Sequence, residues 1–424
     1  VRRHGGPGRL DAPVGVFQEA IGMMDPLPRL RPLEILRLPQ NDGSETFLLR
    51  DPEGYAEDEL VMSEAALFVA AHGDGEHTLE QLGQNFALRY GRPMDPDQAR
   101  AVFDRLETAF MIESPAFLEE RERARQAFLE AAVRLPAHAG RSYPADPETA
   151  REAVKGFFRD AASIEEPGER PAGRLTGVVA PHIDLRVGGA ATALAYRLLD
   201  EATSVTTVIV LGTSHGCGRP AWIVTDKPYE TPLGMVPVDV DAYRALARAA
   251  ETDPEDVYYH RKEHSIEFQA LFLAALREQG RKLSLVPVLC GSQRDTSTPL
   301  LDDPFLVELR RFLDARGDTA IAIAAADLAH VGPRFGDTEA LTPLQLQLLE
   351  KKDRATLEFV RHGDAPGFMK SVLEAGDPRR ICGLAPIAGL LAGLGKTNGK
   401  VLRYEQAIDD TGTVSYASVG LWTA

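Results

Sequence analysis

Three short hydrophobic runs of this chain are each followed within a few residues by a histidine. The runs are LTGVVAPHID (175–184), TTVIVLGTSHG (206–216) and TAIAIAAADLAH (319–330). Each is rich in β-branched residues or alanine and bounded by Gly, Pro or Asp, which is typical of a buried strand. Ligands of open α/β sheets bind beyond the carboxyl ends of the strands. The sequence therefore predicts an α/β sheet with a functional site at that edge, formed by His182, His215, Asp327 and His330.

Composition and charge narrow the class of protein. A chain of 424 residues is long enough for two or three domains. Its net charge of −16 argues against a partner that is a nucleic acid or an anionic membrane surface. No apolar stretch approaches the roughly 20 residues that cross a bilayer, and the N-terminal residues lack the apolar core of a signal peptide. Because the three cysteines form no CxxC pair, we expect a cytoplasmic protein without disulfides.

Residues 28–114 predict a small winged-helix-like domain. ILRLPQ (35–40) and ETFLLR (45–50) suggest a hairpin, with a turn at residues 51–54 on its far side. Ser63 and Thr78 are predicted to cap two helices, and a third helix is expected over about residues 97–110. The outline is two strands and three short helices.

This segment resembles the PqqD-like fold, the peptide-recognition element of peptide-modifying systems, in LLRDPEG (48–54), MSEAALFVAAHGDGEHTLEQL (62–82) and MIES (111–114). The resemblance implies that a peptide or partner protein binds along an edge strand and helix groove. The alternative is an accessory domain that only packs on its neighbour. Residues 1–27 are expected to form a tail. The charged segment 115–136, helical over about 115–135, is expected to be an exposed linker.

Residues 137–424 alternate between strand and helix patterns after a turn-rich entry at about 136–152, which predicts one α/β domain. The segment contains no GxGxxG, and this disfavours a nucleotide enzyme. Helices are predicted at about 188–200, 240–250, 265–278, 305–315, 343–360 and 384–394, with further strands at 284–289, 402–406 and 413–421.

Two further segments carry candidate site residues. Glu263-His264-Ser265-Ile266-Glu267 is a dense polar cluster at the start of a helix, and it offers His264 and Glu267 as acid/base groups. The alternative is a capping arrangement, with Ser265 as the N-cap and the acids favoured by the helix dipole. Cys382 precedes another predicted helix. Because a helix N-terminus lowers the pKa of a thiol, Cys382 suits a thiolate ligand or a reactive thiol.

The larger segment resembles the Memo family from about residue 138 to the end of the chain. The resemblance is carried, in the family's order, by APHIDLRVGGAATALAY (180–196), LGTSHG (211–216), YETPLG (229–234), KEHSIEFQALF (262–272), VPVLCG (286–291), ADLAHVGPRF (326–335), ICGLAPI (381–387) and VSYASVG (414–420). It implies a mixed sheet flanked by helices, similar to the class III extradiol dioxygenases.

The resemblance also implies a metal site. His182 and His215 match the family's imidazole ligands and Cys382 its thiolate, while Asp327 and His330 match further cleft residues that ligate or act as acid and base. Two imidazoles and one thiolate suit Fe(II) or Cu. Family members are often encoded with a radical SAM enzyme and an AMMECR1-type protein, which are the partners expected here.

Three departures from the family pattern leave this ligand set intact. Asp184 and Arg186 follow His182 where Ala-Gly-Tyr is common, Gly216 replaces a second histidine, and Ala329 replaces a cysteine. Three functions are compatible with these residues. The favoured one is a metal-dependent redox enzyme in which His330 or His264 moves protons. The others are a metal-sequestering protein without turnover and a peptide-binding accessory protein with a vestigial cleft.

Overall fold

The structure is a computed structural model that describes residues 21–39, 45–51, 53–56, 59–166, 168–219, 221–292 and 300–424. The chain divides into two compact units with the boundary between Ala127 and Phe128. Each unit has a hydrophobic core of its own. Of the helices in the described part of the chain, none is both long and apolar enough to cross a membrane.

The described part of the first unit contains an antiparallel sheet, three helices and most of a fourth helix. Strands β1 (Glu34–Pro39), β2 (Glu45–Arg50) and β3 (Leu60–Ser63) pair in that order, and helices α1 (Glu64–Ala71), α2 (Leu79–Tyr90) and α3 (Pro96–Thr108) follow. The prediction of two strands was wrong, because β3 has only four residues and runs directly into the first helix cap. Ser63 and Thr78 are confirmed as N-caps, since their side chains accept from Ala66 N and Gln81 N.

The core of the first unit begins before residue 28. Ile21 and Leu27, in the segment predicted to be a tail, are buried in this core with side chains from all three helices. The predicted turn after β2 is confirmed by a hydrogen bond from Gly54 N to Asp51 O at 3.2 Å. Pro52 in that turn, the hairpin tip at 40–44 and tail residues 1–20 lie outside the described residues.

Helix α4 (Pro115–Glu130) is shorter than the predicted helix over 115–135. The chain leaves the helix because Arg134 pairs with an extended segment of the second unit. Its backbone N–H donates to Pro228 O at 2.9 Å, and its carbonyl accepts from Glu230 N at 2.9 Å. The expectation of an exposed helix up to residue 135 was therefore wrong at its end, where the Arg134 side chain is fully buried.

The second unit alternates strands and helices and ends in a long hairpin. Its helices are α5 (Pro147–Ser163), α6 (Leu185–Glu201), α7 (Val240–Ala250), α8 (His264–Glu278), α9 (Pro304–Arg316), α10 (Pro343–Arg361), α11 (Ala365–Leu373) and α12 (Leu384–Leu394). Its strands are β4 (Leu175–Ala180), β5 (Thr207–Thr213), β6 (Trp222–Val224), β7 (Tyr229–Thr231), β8 (Gly234–Val236), β9 (Ser284–Cys290), β10 (Ala320–Ala325), β11 (His330–Val331), β12 (Thr397–Asp409) and β13 (Gly412–Thr423).

Helices α7 and α12 have the predicted bounds, but α5 and α11 were missed. The start of α5 carries ordinary helix signals, because the Asp146 side chain caps Thr149 N and Pro147 occupies the first turn. The Pro-rich residues before α5 had suggested a turn-rich entry instead. The same pair of signals, Asp364 as N-cap and Pro366 in the first turn, precedes α11.

The principal sheet is mixed, as predicted, with the order β11-β13-β4-β10-β5-β9-β6 and β12 paired to β13. The central strands β4, β10, β5 and β9 are parallel, and the outer pairings are antiparallel. Ala325 of β10 lies opposite both Ala180 of β4 and Gly212 of β5. These three strands therefore end at the same level.

Both faces of the sheet are covered by helices. Along β5, Val208 and Val210 belong to one core, which includes residues of α6 and α8. Ile209 and Leu211 belong to the opposite core, which includes residues of α9 and α12. Because successive side chains of a strand point to opposite faces, burial on both sides explains the uninterrupted apolar runs in the sequence.

Asp353 on α10 holds the terminal hairpin in place, and its loss should be costly. The fully buried carboxylate accepts from Arg379 Nη1 at 2.7 Å, Ser415 Oγ at 2.6 Å and Tyr404 OH at 3.0 Å. We expect Asp353→Ala to lower the free energy of unfolding by about 3–5 kcal/mol, because it leaves a buried guanidinium unpaired. Urea denaturation measures this loss. The exposed pair Glu350–Arg354 on the same helix provides the control, since Glu350→Ala should cost less than about 1 kcal/mol. Equal effects of the two variants would contradict the assignment.

Candidate metal centre

His182 follows the end of β4 by two residues and is held in a fixed orientation. Its Nδ1 lies 2.8 Å from Ala325 O, and its backbone N–H donates to Asp327 Oδ1 at 3.0 Å. Because a carbonyl only accepts, Nδ1 carries a hydrogen. The other ring nitrogen, Nε2, lies 3.3 Å from Cys382 Sγ and 3.6 Å from Asp327 Oδ2. The end of β10 thus orients the histidine at the end of β4.

His215 follows the end of β5 by two residues and lies against the buried carboxylate of Glu263. Glu263 accepts from His215 N at 2.8 Å, and its oxygens lie 3.1 Å from His215 Nδ1. The same carboxylate caps α8 by accepting from His264 N and Ser265 N at 2.9 and 3.1 Å. The prediction that Ser265 is the N-cap of this helix was wrong, because the Ser265 hydroxyl donates to Thr213 O at 2.8 Å.

Cys382 lies just before α12 and faces the two histidines. Burial raises the pKa of its thiol, but the charges of His182 and His330 and hydrogen bonds from His182 and His215 lower it to about 5. Burial in turn lowers the pKa of His182, but Asp327 and Cys382 raise it to about 9. Without a metal ion, the site therefore contains a thiolate beside an imidazolium at neutral pH.

The imidazole rings of His182, His215 and His264 form one cluster. The ring centroids of His182 and His215 are 5.3 Å apart, and the ring of His264 stacks on that of His215 at 4.8 Å. Two sets of ligand atoms each lie within 4.8 Å of one another, namely His182, His215 and His264, and His182, Asp327 and Cys382. The structure thus brings His182, His215 and Asp327, which the sequence had placed at the strand ends, together with the candidates His264 and Cys382. His330 belongs to neither set.

The side chains of His215 and His264 are 43% and 30% exposed, whereas those of His182 and Asp327 are 2% exposed. The cluster is therefore open to solvent on one side only. Burial and the positive charges of His215 and His182 outweigh the attraction of Glu263, and they keep the pKa of His264 well below its ordinary value. His264 is therefore a neutral imidazole at neutral pH. His330 lies on β11, with Nδ1 3.2 Å from Leu328 O.

Glu267, predicted as an acid/base group, lies in a separate buried network. It pairs with Arg134, and it accepts from Ala137 N at 3.0 Å, His138 N at 2.8 Å and Tyr143 OH at 2.5 Å. Burial raises its pKa, but Arg134 and His138 lower it below the ordinary value. The structure does not bring Glu267 into either group of ligand atoms, so its catalytic role stays a prediction.

Arg134 is the residue that sequence reasoning missed. Its guanidinium, fully buried, donates to Glu263 O at 2.8 Å and to His260 O at 3.0 Å, besides pairing with Glu267. It therefore fixes the turn that carries the Glu263 carboxylate. A charged helical segment gave no sign of this, because the partners lie more than 120 residues away in the sequence.

The fold and the site define an α/β protein with a His–His–Cys cluster at the carboxyl edge of its parallel strands. Residues 134–420 match the family model described as Memo-like protein. The chain belongs to the Memo family.

Curated relatives agree with this assignment. A MEMO1 family protein of Methanopyrus kandleri is 31% identical over 297 residues, which cover 68% of this chain and 98% of the relative. One of Aquifex aeolicus is 26% identical over 380 residues, or 88% of this chain and 95% of the relative. One of Desulfurococcus amylolyticus is 27% identical over 289 residues, or 67% and 95%. The match to the Aquifex protein is longer than the region 134–420, so its similarity extends beyond the Memo-like region.

The pKa of Cys382 predicts an unusual pH profile for alkylation of the metal-free protein. The thiolate is the reacting form, and a pKa of about 5 keeps it populated above that pH. The rate with iodoacetamide should therefore be nearly constant between about pH 6 and 8 and fall as the pH drops through 5, whereas an ordinary thiol gains about tenfold per pH unit below its pKa of about 8.5. Mass spectrometry would locate the adduct, and Cys382→Ser gives the background because Cys217 and Cys290 are buried. A rate that rises steeply from pH 6 to 8 would contradict the thiolate assignment.

Proposed function

We propose that this protein binds one Fe(II) or Cu ion through His182, His215 and Cys382 and acts as a redox enzyme. The observation that carries the proposal is the convergence of these side chains at one edge of the sheet. His182 follows β4, His215 follows β5 and Cys382 precedes α12, with the Cys382 thiolate 3.3 Å from His182 Nε2. Two imidazoles and one thiolate are a donor set suited to borderline and soft metals. The Glu263 carboxylate behind His215 and the Ala325 carbonyl behind His182 are the supporting hydrogen-bond partners expected of metal-bound histidines.

The remaining cleft residues favour an enzyme over a storage site. A bound iron or copper ion would supply one-electron redox chemistry at open coordination positions. Three further groups that take up or release protons, Asp327, His264 and His330, lie around the ligand set, which is more than metal retention requires. His264, held neutral and 30% exposed, is placed to take a proton from a ligand that enters from the open side. Asp327, adjacent to His182, would bind or orient such a ligand.

Metal content tests the ligand assignment. Protein purified without oxygen should contain close to one iron or copper ion per chain, measured by elemental analysis. We expect His182→Ala, His215→Ala and Cys382→Ser each to lose most of this metal, because each removes one of three ligands. His362→Ala is the matched control, since His362 is an exposed histidine of the same unit, 66% accessible on its side chain.

Two outcomes would contradict parts of the proposal. Absence of iron and copper in the wild-type protein would reject the metal assignment. Retained iron or copper with no oxygen uptake or electron transfer, in the presence of reductant and candidate substrates, would support sequestration instead. A stoichiometric zinc ion would also reject the redox function, because zinc has no accessible second oxidation state.

Glu263 and Glu267, at the start of α8, should affect metal binding differently. Glu263→Gln should weaken metal affinity by about 10- to 100-fold, because Glu263 orients His215. Glu267→Gln should reduce stability but leave affinity within a few-fold, because its partners belong to the Arg134 network. Competition with a chromogenic chelator measures the affinities, and thermal unfolding monitors stability. A larger affinity loss in Glu267→Gln than in Glu263→Gln would reverse this assignment and support the predicted catalytic role of Glu267.

We propose that residues 28–114 form a PqqD-like recognition domain joined through 115–136 to the Memo-like domain at 137–424. The three-stranded sheet followed by three helices supports this proposal. The expected partners are a peptide or protein at the first unit, together with a radical SAM enzyme and an AMMECR1-type protein encoded nearby. Co-purification of the full chain with those two gene products tests the partnership. A variant that lacks residues 1–114 shows whether the first unit is needed.

A further inference from the structure

The charged side chains around the cleft are largely paired with one another. Arg186 donates to Asp184 at 2.8 Å, just beyond His182. Arg219 pairs with Asp256, and Arg380 with Asp337. The cleft carboxylates Glu263 and Asp327 lie against His215 and His182. Most of the charge at this edge is therefore locally compensated.

Lys262 and Arg141 differ from these paired charges. Among the residues that the structure describes, neither side chain forms an ion pair or a hydrogen bond. Arg141 is exposed and Lys262 is half-buried. The pKa of Lys262 is lowered by burial and by the positive charges of Arg261, Arg141 and Arg134, which outweigh the attraction of Glu267. Each of these three cations therefore lies within electrostatic reach of Lys262.

The two residues belong to segments that pack together beside the histidine cluster. His138 Nε2 lies 2.8 Å from Lys262 O, and the backbone N–H of Arg141 donates to His138 O at 3.1 Å. The ring of His138 lies edge-on to that of His264, with centroids 5.6 Å apart. Lys262 directly precedes Glu263, which caps α8. Both segments therefore lie next to His264, whose side chain is 30% exposed.

A concentration of unpaired positive charge is unexpected in this chain. Asp and Glu number 63 against 47 Lys and Arg, and the net charge is −16, so carboxylates that would pair with Lys262 or Arg141 are abundant. Like charges held near each other in a cleft repel, and they focus a positive potential that attracts anions. An anion that binds there relieves the repulsion.

We propose that Lys262 and Arg141 form an anion-binding subsite at the rim of the cleft. It takes a carboxylate or phosphate group of a ligand whose other end reaches His264 and the His182–Cys382 pair. Arg141 offers a planar guanidinium for two parallel hydrogen bonds, and Lys262 offers a point charge. This inference rests on the proposed function in treating the cleft as a ligand site, but it requires no metal.

Two alkylating agents that differ in charge test the subsite in metal-free protein. The Cys382 thiolate displaces iodide from iodoacetate and from iodoacetamide by the same reaction. The ratio of the two rates therefore cancels the thiolate population and reports the electrostatic field that acts on a negative charge. At low ionic strength, Lys262→Met and Arg141→Met should each lower the iodoacetate-to-iodoacetamide ratio by about two- to fourfold. Lys155→Met on α5 makes the same charge change at an exposed pair with Glu152 and should leave the ratio unchanged.

Competing anions separate the two ligand chemistries. Inorganic phosphate and malonate are added to the wild-type protein at constant ionic strength, with chloride as reference. The anion that the subsite binds should slow the reaction of iodoacetate, and the slowing should weaken in Lys262→Met and Arg141→Met. Slowing by phosphate alone identifies a phosphate site, and slowing by malonate alone a carboxylate site.

Equal iodoacetate-to-iodoacetamide ratios in Lys262→Met, Arg141→Met and Lys155→Met would overturn the subsite. The subsite would also be overturned if neither phosphate nor malonate slowed the reaction of iodoacetate. If Lys262→Met does not fold, the exposed Arg141 still gives the test. A failed metal analysis leaves these rates unaffected, and unchanged rates leave the metal content unaffected, so the two proposals fail separately.

Discussion

The site depends on one buried carboxylate, that of Glu263. It accepts hydrogen bonds from the His215 backbone and from the first turn of α8, and it lies against the His215 ring. Burial raises its pKa, but the opposing charge of His215 outweighs this and keeps the carboxylate ionised. One ionised side chain therefore joins the end of β5 to the start of α8 and sets the His215 ring. Arg134 supports the same turn from below through the Glu263 carbonyl.

The position of the site could be predicted from the sequence because the geometry of parallel strands is regular. His182, His215 and Asp327 each follow their strand by two residues, and the register aligns Ala180, Ala325 and Gly212. Burial on both faces made those strands visible as apolar runs. Cys382 could not be placed in this way, because it precedes a helix rather than following a strand. Its place before a helix suggested a thiolate, the family resemblance assigned it to the ligand set, and the structure brings it to His182.

The role of the segment Glu263–Glu267 could not be predicted, for a specific physical reason. A spacing of four residues puts two side chains on one helical face only if both residues lie within the helix. Glu263 is the N-cap, with extended backbone, so its carboxylate turns back to the first amides while Glu267 points into the core. Glu267 finds its cation in Arg134, which is 133 residues away in the sequence. The local sequence pattern carries no information about such a pairing. A charged linker helix was therefore the simplest interpretation of residues 115–136, the segment that contains Arg134.

The charges of the metal-free cluster suggest why the same fold could accommodate a metal ion without rearrangement. Cys382 and Glu263 are held as anions, because their pKa values are lowered, that of Cys382 to about 5 and that of Glu263 well below its ordinary value. His182 and His215 are held as imidazolium cations, because the pKa of His182 is raised to about 9 and that of His215 well above its ordinary value. The two imidazolium protons balance the two negative charges. A divalent cation that replaces both protons leaves the net charge of the cluster unchanged. The buried carboxylates and the thiolate therefore meet the same compensating charge in either form, so the supporting hydrogen bonds need not change when the ligands exchange protons for metal.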